Sequence, residues 1–181
     1  SLQARSGAGL QAGQLMELTD DLIPHITGEA HKIALELPKI LGRWTPNAPP
    51  TPAAVEVTAT CMRVPVPHGH TLCVDVTLED AATEREIHEA WTSFEGLSGA
   101  ATLHSAPRPL IHVDSDPDAP RPAAHRDRGA GLAVSVGGLT RLDASRRRWS
   151  FVTLSHNLIR GAAGGAILTA EDAHRRGLLD D

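Results

Sequence analysis

The sequence contains no tyrosine, and its aromatic residues are three tryptophans and two phenylalanines. Proton chemistry on a ring therefore falls to its ten histidines. No group of histidines and cysteines has zinc-site spacing, so no metal centre is expected. Cysteine is scarce. Cys61 and Cys73 allow a disulfide on paper, but two buried thiols in a cytoplasmic protein are the better expectation. Positive charge is not in excess: the formal net charge is -5 and the pI near 6.0, which argues against nucleic acid as a partner. No apolar run is long enough to span a membrane and no signal-peptide pattern opens the sequence, so neither a membrane partner nor export is expected. There is also no internal repeat and no second composition regime. With 41% hydrophobic and 22% charged residues, the 181-residue chain reads as one globular domain with a real core.

What the sequence does hold centres on Cys61-Met62-Arg63-Val64-Pro65-Val66-Pro67-His68-Gly69-His70. Alternation over residues 55–66 predicts a strand carrying one arginine, Arg63, in an apolar context. A short Pro/Gly turn then presents His70. A second alternating strand leaves over residues 71–78, with Val74, Val76 and Leu78 set against Asp75 and Thr77. A cation and a titratable ring, fixed at the end of one strand and the start of the next, suit a small anionic substrate whose reaction includes a proton transfer. His68 beside His70 suggests a metal pair, but two ligands do not make a site.

Around that centre lie further elements. Ser6-Gly7-Ala8-Gly9 reads as a turn whose small residues let a backbone approach a ligand. A short helix is expected over residues 11–18, and Pro24 makes residues 22–26 extended or a turn. Ile33, Leu37, Ile40 and Leu41 recur at helical spacing over residues 29–41, with Thr27 as N-cap and Gly42 as stop. Glu29 and Lys32 share a face of that helix, as do Glu36 and Lys39, and spacing alone favours surface ion pairs. Pro38 should kink or end the helix nearby. Residues 44–54 are a proline-rich connector. Residues 83–94 read as an amphipathic helix with Ile87, Ala90, Trp91 and Phe94 on one face and Asp80 as N-cap. A short strand over 110–113 leads into a long loop over 114–128, of the length that serves function or an interface. Strands over 131–142 and 149–155 flank a solvated arginine turn, and a helix over 158–176 is entered through His156-Asn157. This order predicts an α+β fold: a mixed, largely antiparallel sheet with helices on one face.

Six segments, in order, resemble the aspartate-semialdehyde dehydrogenase family. They are Gln3-Ala4-Arg5-Ser6-Gly7-Ala8-Gly9, Leu22-Ile23-Pro24-His25-Ile26, Glu29-Ala30-His31-Lys32, Glu36-Leu37-Pro38-Lys39-Ile40-Leu41-Gly42, the stretch from Cys61 through Thr71, and His156-Asn157-Leu158-Ile159-Arg160-Gly161-Ala162-Ala163-Gly164. The resemblance covers essentially the whole chain and is strongest to the archaeal and fungal branch. It implies a fold like the C-terminal domain of glyceraldehyde-3-phosphate dehydrogenase. Enzymes of the family join an N-terminal Rossmann domain, which binds NADP and carries the cysteine nucleophile, to a second domain that completes the site and forms the dimer. Residues 1–181 resemble the second domain alone. No nucleotide-binding fingerprint opens the chain, and it begins mid-pattern at Ser1. The Rossmann part is therefore expected to precede it or to be supplied by a separate chain.

The resemblance also implies roles. Arg63 would bind the α-carboxylate of the substrate, Glu29 its ammonium and Lys32 the phosphate, and Gln3 would orient the acyl intermediate. His70 would be the catalytic acid/base, and Ser6, Gly7, Ala8, Gly9 and Asn157 would lie near the nicotinamide of NADP. Cys61 is not the nucleophile, because a thiol buried in a strand is inert. Alone, the chain is expected to be inactive, and an isolated half with an uncovered apolar face is expected to dimerise or to be poorly soluble. Departures from the family pattern are Pro38, His125-Arg126-Asp127, and Gly137-Gly138 in place of a Gly-Arg pair. They point to drift after loss of function or to compensation elsewhere. Two other readings stand: a non-catalytic dimerisation module, and, on the shared archaeal-branch scaffold, a malonyl-CoA reductase-like relative. Glu29 argues against the second, since a malonyl group has no ammonium.

Overall fold

The computed structural model describes residues 1–11, 20–45, 48–96 and 99–179. The helix expected over residues 11–18 lies, but for Gln11, outside them. Alternating sequences become strands β1 (Leu2–Gln3), β2 (Met62–Arg63), β3 (His70–Thr77), β4 (Ile111–Val113), β5 (Val134–Arg141) and β6 (Arg148–Ser155). They form one sheet in the order β2-β1-β3-β6-β5-β4. The outer pairs β1–β2 and β4–β5 are parallel, and the pairs between them are antiparallel. The sheet is thus mixed and largely antiparallel, as expected.

The helices are α1 (Glu29–Ile40), α2 (Glu84–Thr92), α3 (Pro122–His125) and α4 (Gly164–Arg175). Residues paired across a ladder share a face. The register Val74↔Phe151 and Ile111↔Val134 therefore defines one face of the sheet. Trp91 of α2 packs edge-on against Phe151, with ring centroids 5.2 Å apart. Leu168 of α4 lines a cavity of about 480 Å³ with Ile111 and Val134. The two helices cover the same face. On the other face, Leu154 and Ser135 are fully buried. Arg128 donates to Ser135 Oγ and grips both carboxylate oxygens of Asp114 at 2.7 and 2.8 Å, which pins the long loop over residues 114–128 there.

The structure departs from the sequence expectations at several points. The strand expected over 55–66 is regular only at Met62 and Arg63, because β1 offers it just Leu2 and Gln3 as partners. Gly28, not Thr27, is the N-cap of α1: the backbone there needs φ 81°, which glycine adopts without strain. Pro38 sits inside α1 and the helix ends shortly after it, at Ile40. Cys73 is exposed and Cys61 buried, and both are free. The register places Cys73 opposite Val152, on the face that α2 and α4 leave uncovered. The last helix starts as a π-turn over Ile159–Ala163 before α4. Much of the apolar side of α1 is open, with Leu35, Ile40, Leu41 and Trp44 at 52%, 73%, 59% and 78% exposure.

Thr83, not Asp80, caps α2. Its Oγ1 accepts from the Glu86 N–H at 3.2 Å, and Glu86 Oε2 accepts from the Thr83 N–H at 2.7 Å. This reciprocal box satisfies two otherwise unpaired donors. Thr83→Ala should cost about 1 kcal/mol and lower the melting temperature by roughly 2–4 °C in calorimetry. Asp80→Ala should leave it unchanged, and the reverse order would refute this cap.

Candidate functional site

The parallel register Gln3↔Arg63 sets these two residues side by side. Arg63 is 6% exposed. Its Nη1 donates to the Ala4 carbonyl at 3.0 Å and to Gln3 Oε1 at 3.3 Å. With the Gln3 oxygen so used, its Nε2 faces the other way and donates to Glu29 Oε2 at 3.1 Å. Glu29 is the first residue of α1, and the chain reaches it through a bridge between Ile23 and Arg63 and a bond from the Ile26 N–H to the Cys61 carbonyl. A cation, an amide and a carboxylate thus form one row drawn from β2, β1 and α1.

His70 stands where β3 begins, after Gly69 at φ 101°. Gly7 covers it: a Cβ added there would stand 2.7 Å from Arg63 Nη1 and 2.9 Å from His70 Nε2. The absence of a side chain at residue 7 is what lets the turn lie close against both the guanidinium and the ring. His70 Nε2 is buried and has no hydrogen-bond partner among the described residues. Burial pushes the imidazole down to about 4, and the Arg63 charge pushes the same way against an opposing pull from Glu29. The ring is neutral at pH 7, with a nitrogen free to take a proton. Burial also lowers Arg63 from its ordinary value and Glu29 opposes this, so the residue keeps its charge.

Asn157, just after β6, ties the two ends of the site together. Its Oδ1 accepts from the Gly69 N–H and its Nδ2 donates to Ser6 Oγ, both at 2.8 Å. The N–H groups of Arg5 and Ser6 donate to the carbonyls of Val66 and Pro67, which fixes the glycine-rich turn against the strand that carries Arg63. That turn is a 3₁₀ helix over Arg5–Gln11 and includes Ala8 and Gly9. Of the residues singled out from the sequence, Gln3, Ser6, Gly7, Glu29, Arg63, His70 and Asn157 are brought together. Lys32 lies one turn along α1 and is exposed, with no hydrogen bond or ion pair to the cluster among the described residues. Two contributors were not anticipated. The Ala4 carbonyl could not be read from any side chain, and the part played by His68 shows only once its ring is seen against His156, at 5.6 Å between centroids. Among the described residues no cluster of three or more His, Cys, Asp or Glu could hold a metal ion.

A protein-family profile described as "Semialdehyde dehydrogenase, dimerisation domain" matches residues 1–160. The chain is 39% identical over 171 residues to the aspartate-semialdehyde dehydrogenase of Methanothermobacter thermautotrophicus, covering 94% of this chain and 49% of that protein. Among solved structures it is similar to the aspartate semialdehyde dehydrogenase of Candida albicans with NADP, at 34% identity and a TM-score of 0.82, over 98% of this chain and 49% of that one. Its fold also matches aspartate semialdehyde dehydrogenase II of Vibrio cholerae complexed with ASA, at 23% identity and a TM-score of 0.71, over 96% of this chain and 53% of that one. The chain spans about half the length of the relatives it matches.

The state of His70 makes stability depend on pH. The unfolded ring binds its proton near pH 6.5 and the folded ring only near 4. Between those values the unfolded state holds more protons, so the contribution is complete above pH 6.5 and is lost as the pH falls toward 4. Stability measured by urea unfolding should fall as the pH drops across that window. His70→Asn should flatten the slope by up to about one proton; a slope unchanged by the substitution would exclude a buried neutral His70.

Proposed function

The chain belongs to the semialdehyde dehydrogenase dimerisation-domain family, and on that premise we propose that it is the substrate-binding and dimerisation part of an NADP-dependent aspartate-semialdehyde dehydrogenase of amino-acid biosynthesis. The reaction is the reversible reduction of aspartyl phosphate to the semialdehyde through a cysteinyl thioester, with release of phosphate. The thiol and most of the nucleotide site come from a Rossmann part outside residues 1–181.

The observation that carries this reading is the row Arg63–Gln3–Glu29 beside a neutral His70. An amino-acid substrate presents a carboxylate and an ammonium. Arg63 offers a planar fork for the first and Glu29 a counter-charge for the second. Gln3 lies between them, suited to orient the acyl group. His70 Nε2 is the free base: it accepts the thiol proton as the thioester forms and then handles the proton of the thiohemiacetal. Lys32, exposed one turn from Glu29, reaches outward for the phosphate. Ser6, Gly7, Ala8 and Gly9 with Asn157 fit a nicotinamide, because Gly7 leaves a cradle that a Cβ would fill and the Ser6 hydroxyl is held by Asn157. When bound, NADPH supplies the hydride. Glu29 in the row supports an amino-acid substrate over a malonyl thioester.

The family description and the open apolar side of α1 support a homodimer, and its setting is cytoplasmic. Among the described residues no helix is long and apolar enough to cross a membrane. In light scattering the chain should have the mass of a dimer; a stable monomer would count against the assignment.

The decisive test supplies the missing part. This chain joined to the half of the Methanothermobacter thermautotrophicus relative that it does not match should reduce NADP with aspartate semialdehyde and phosphate. His70→Asn should lower kcat about 10²–10⁴-fold. Arg63→Ala should lower kcat/KM through a raised KM for the semialdehyde. A folded, dimeric hybrid without turnover would favour a module that has lost its chemistry.

A further inference from the structure

Among the described residues nothing hydrogen-bonds the His70 ring at Nε2, so its aim depends on the backbone that presents it. On one side that backbone is the β3–β6 ladder, where His70 pairs with Ser155. On the other side is Gly69, buried and in the left-handed region, whose N–H donates to Asn157 Oδ1. Regular pairing stops at this point, yet the two chains stay together for two more residues. His68 and His156 face each other with rings 17° from parallel.

We propose that the stacked pair His68–His156 is a positioning element that holds the Gly69 turn against Asn157 and so fixes the aim of His70. This rests on the acid/base reading of His70, but the stack itself can be measured without turnover. His156 is 6% exposed, and its Nδ1 accepts from the N–H groups of Leu158 and Ile159 at 3.2 and 3.3 Å. Its proton is therefore on Nε2, which faces Asp127 Oδ1 at 3.7 Å. The ring is held by hydrogen bonds at Nδ1, with the Asp127 carboxylate facing it at Nε2, and presents a flat plate. His68 is held differently. Its Nδ1 is buried without a hydrogen-bond partner among the described residues, so the stack supplies what a hydrogen bond does not. The turn has little freedom to settle elsewhere, since Gly69 packs among Leu154, Pro122 and Arg126.

The groups facing His156 are Asp127 and Arg126 from the segment after α3 and His68 from the turn. Burial lowers its imidazole from the ordinary value, Asp127 opposes this, and His68 and Arg126 add to it. The plate is thus neutral at pH 7 and its Nδ1 stays an acceptor. His68 and His156 act through Gly69 and Asn157; neither touches substrate.

The test is made on the 181-residue chain by NMR, following Gly69 amide exchange and the His70 ring titration. In His68→Ala the Gly69 amide should exchange at least about tenfold faster. The His70 titration should move up from about 4 toward 6.5 as its pocket opens. Amides of Val74 and Val152 in the ladder should keep their protection. His68→Phe, which restores a flat ring, should recover both readouts. If His68→Ala folds poorly, His68→Leu carries the same expectation of loss, since it fills the space without a flat face. Gly69 exchange within about twofold of wild type in a folded His68→Ala or His68→Leu would overturn the proposal, as would an equal loss in His68→Phe. If the variants behave as stated while the hybrid enzyme is inactive, the acid/base reading fails and the positioning element stands.

Discussion

A guanidinium withdrawn from water is costly unless its N–H groups find acceptors. In this chain the acceptors come from a neighbouring strand that is only two residues long and from the residue that follows it. The Ala4 carbonyl and the Gln3 side chain meet Arg63 because Leu2 and Gln3 pair in parallel with Met62 and Arg63. The remainder of the site depends on this contact. It orients the Gln3 amide, which in turn holds Glu29 at the start of α1. It also sets a positive charge near His70 that helps to keep the ring neutral. A neutral base beside an arginine is a stable arrangement, because burial and the neighbouring charge both disfavour a second cation.

The second support is Asn157. One amide serves two turns with opposite polarity, accepting from Gly69 and donating to Ser6. It couples the glycine-rich turn near the chain start to the segment that follows β6. The sheet places both partners, since the β3–β6 ladder ends at His70↔Ser155 and leaves the next residues adjacent. The helices on the far side contribute indirectly. By packing on the face with Phe151 and Val134 they fix the ladder whose end carries the site.

Much of this was legible because it lay in local patterns. Alternation located β3, β5 and β6, and helical spacing located α1 and α2. The motif around Arg63 and His70 and the segment His156-Asn157 gave three of the seven residues now seen together, and the segments from Gln3 to Gly9 and from Glu29 to Lys32 gave the other four. What was not legible depended on partners. Alternation over residues 55–66 promised a long strand, but a strand needs a neighbour and β1 supplies little. Cys73 was expected to be a buried thiol, whereas the register turned it to the uncovered face. Thr83 as cap was readable from the spacing to Glu86, and Asp80 was an error of choice between two good capping residues. The ion pair that spacing favoured between Glu29 and Lys32 lost to tertiary contact: Glu29 turns to Gln3.

The bond between Ser6 and Asn157 joins residues 151 apart in sequence, and that between Gly69 and Asn157 spans 88. Closing loops of that size costs entropy before any contact returns it. Contacts of such long range also slow folding. The site therefore cannot exist on a nascent chain until residue 157 has left the ribosome. During synthesis its cation and its base are present long before the geometry that aligns them.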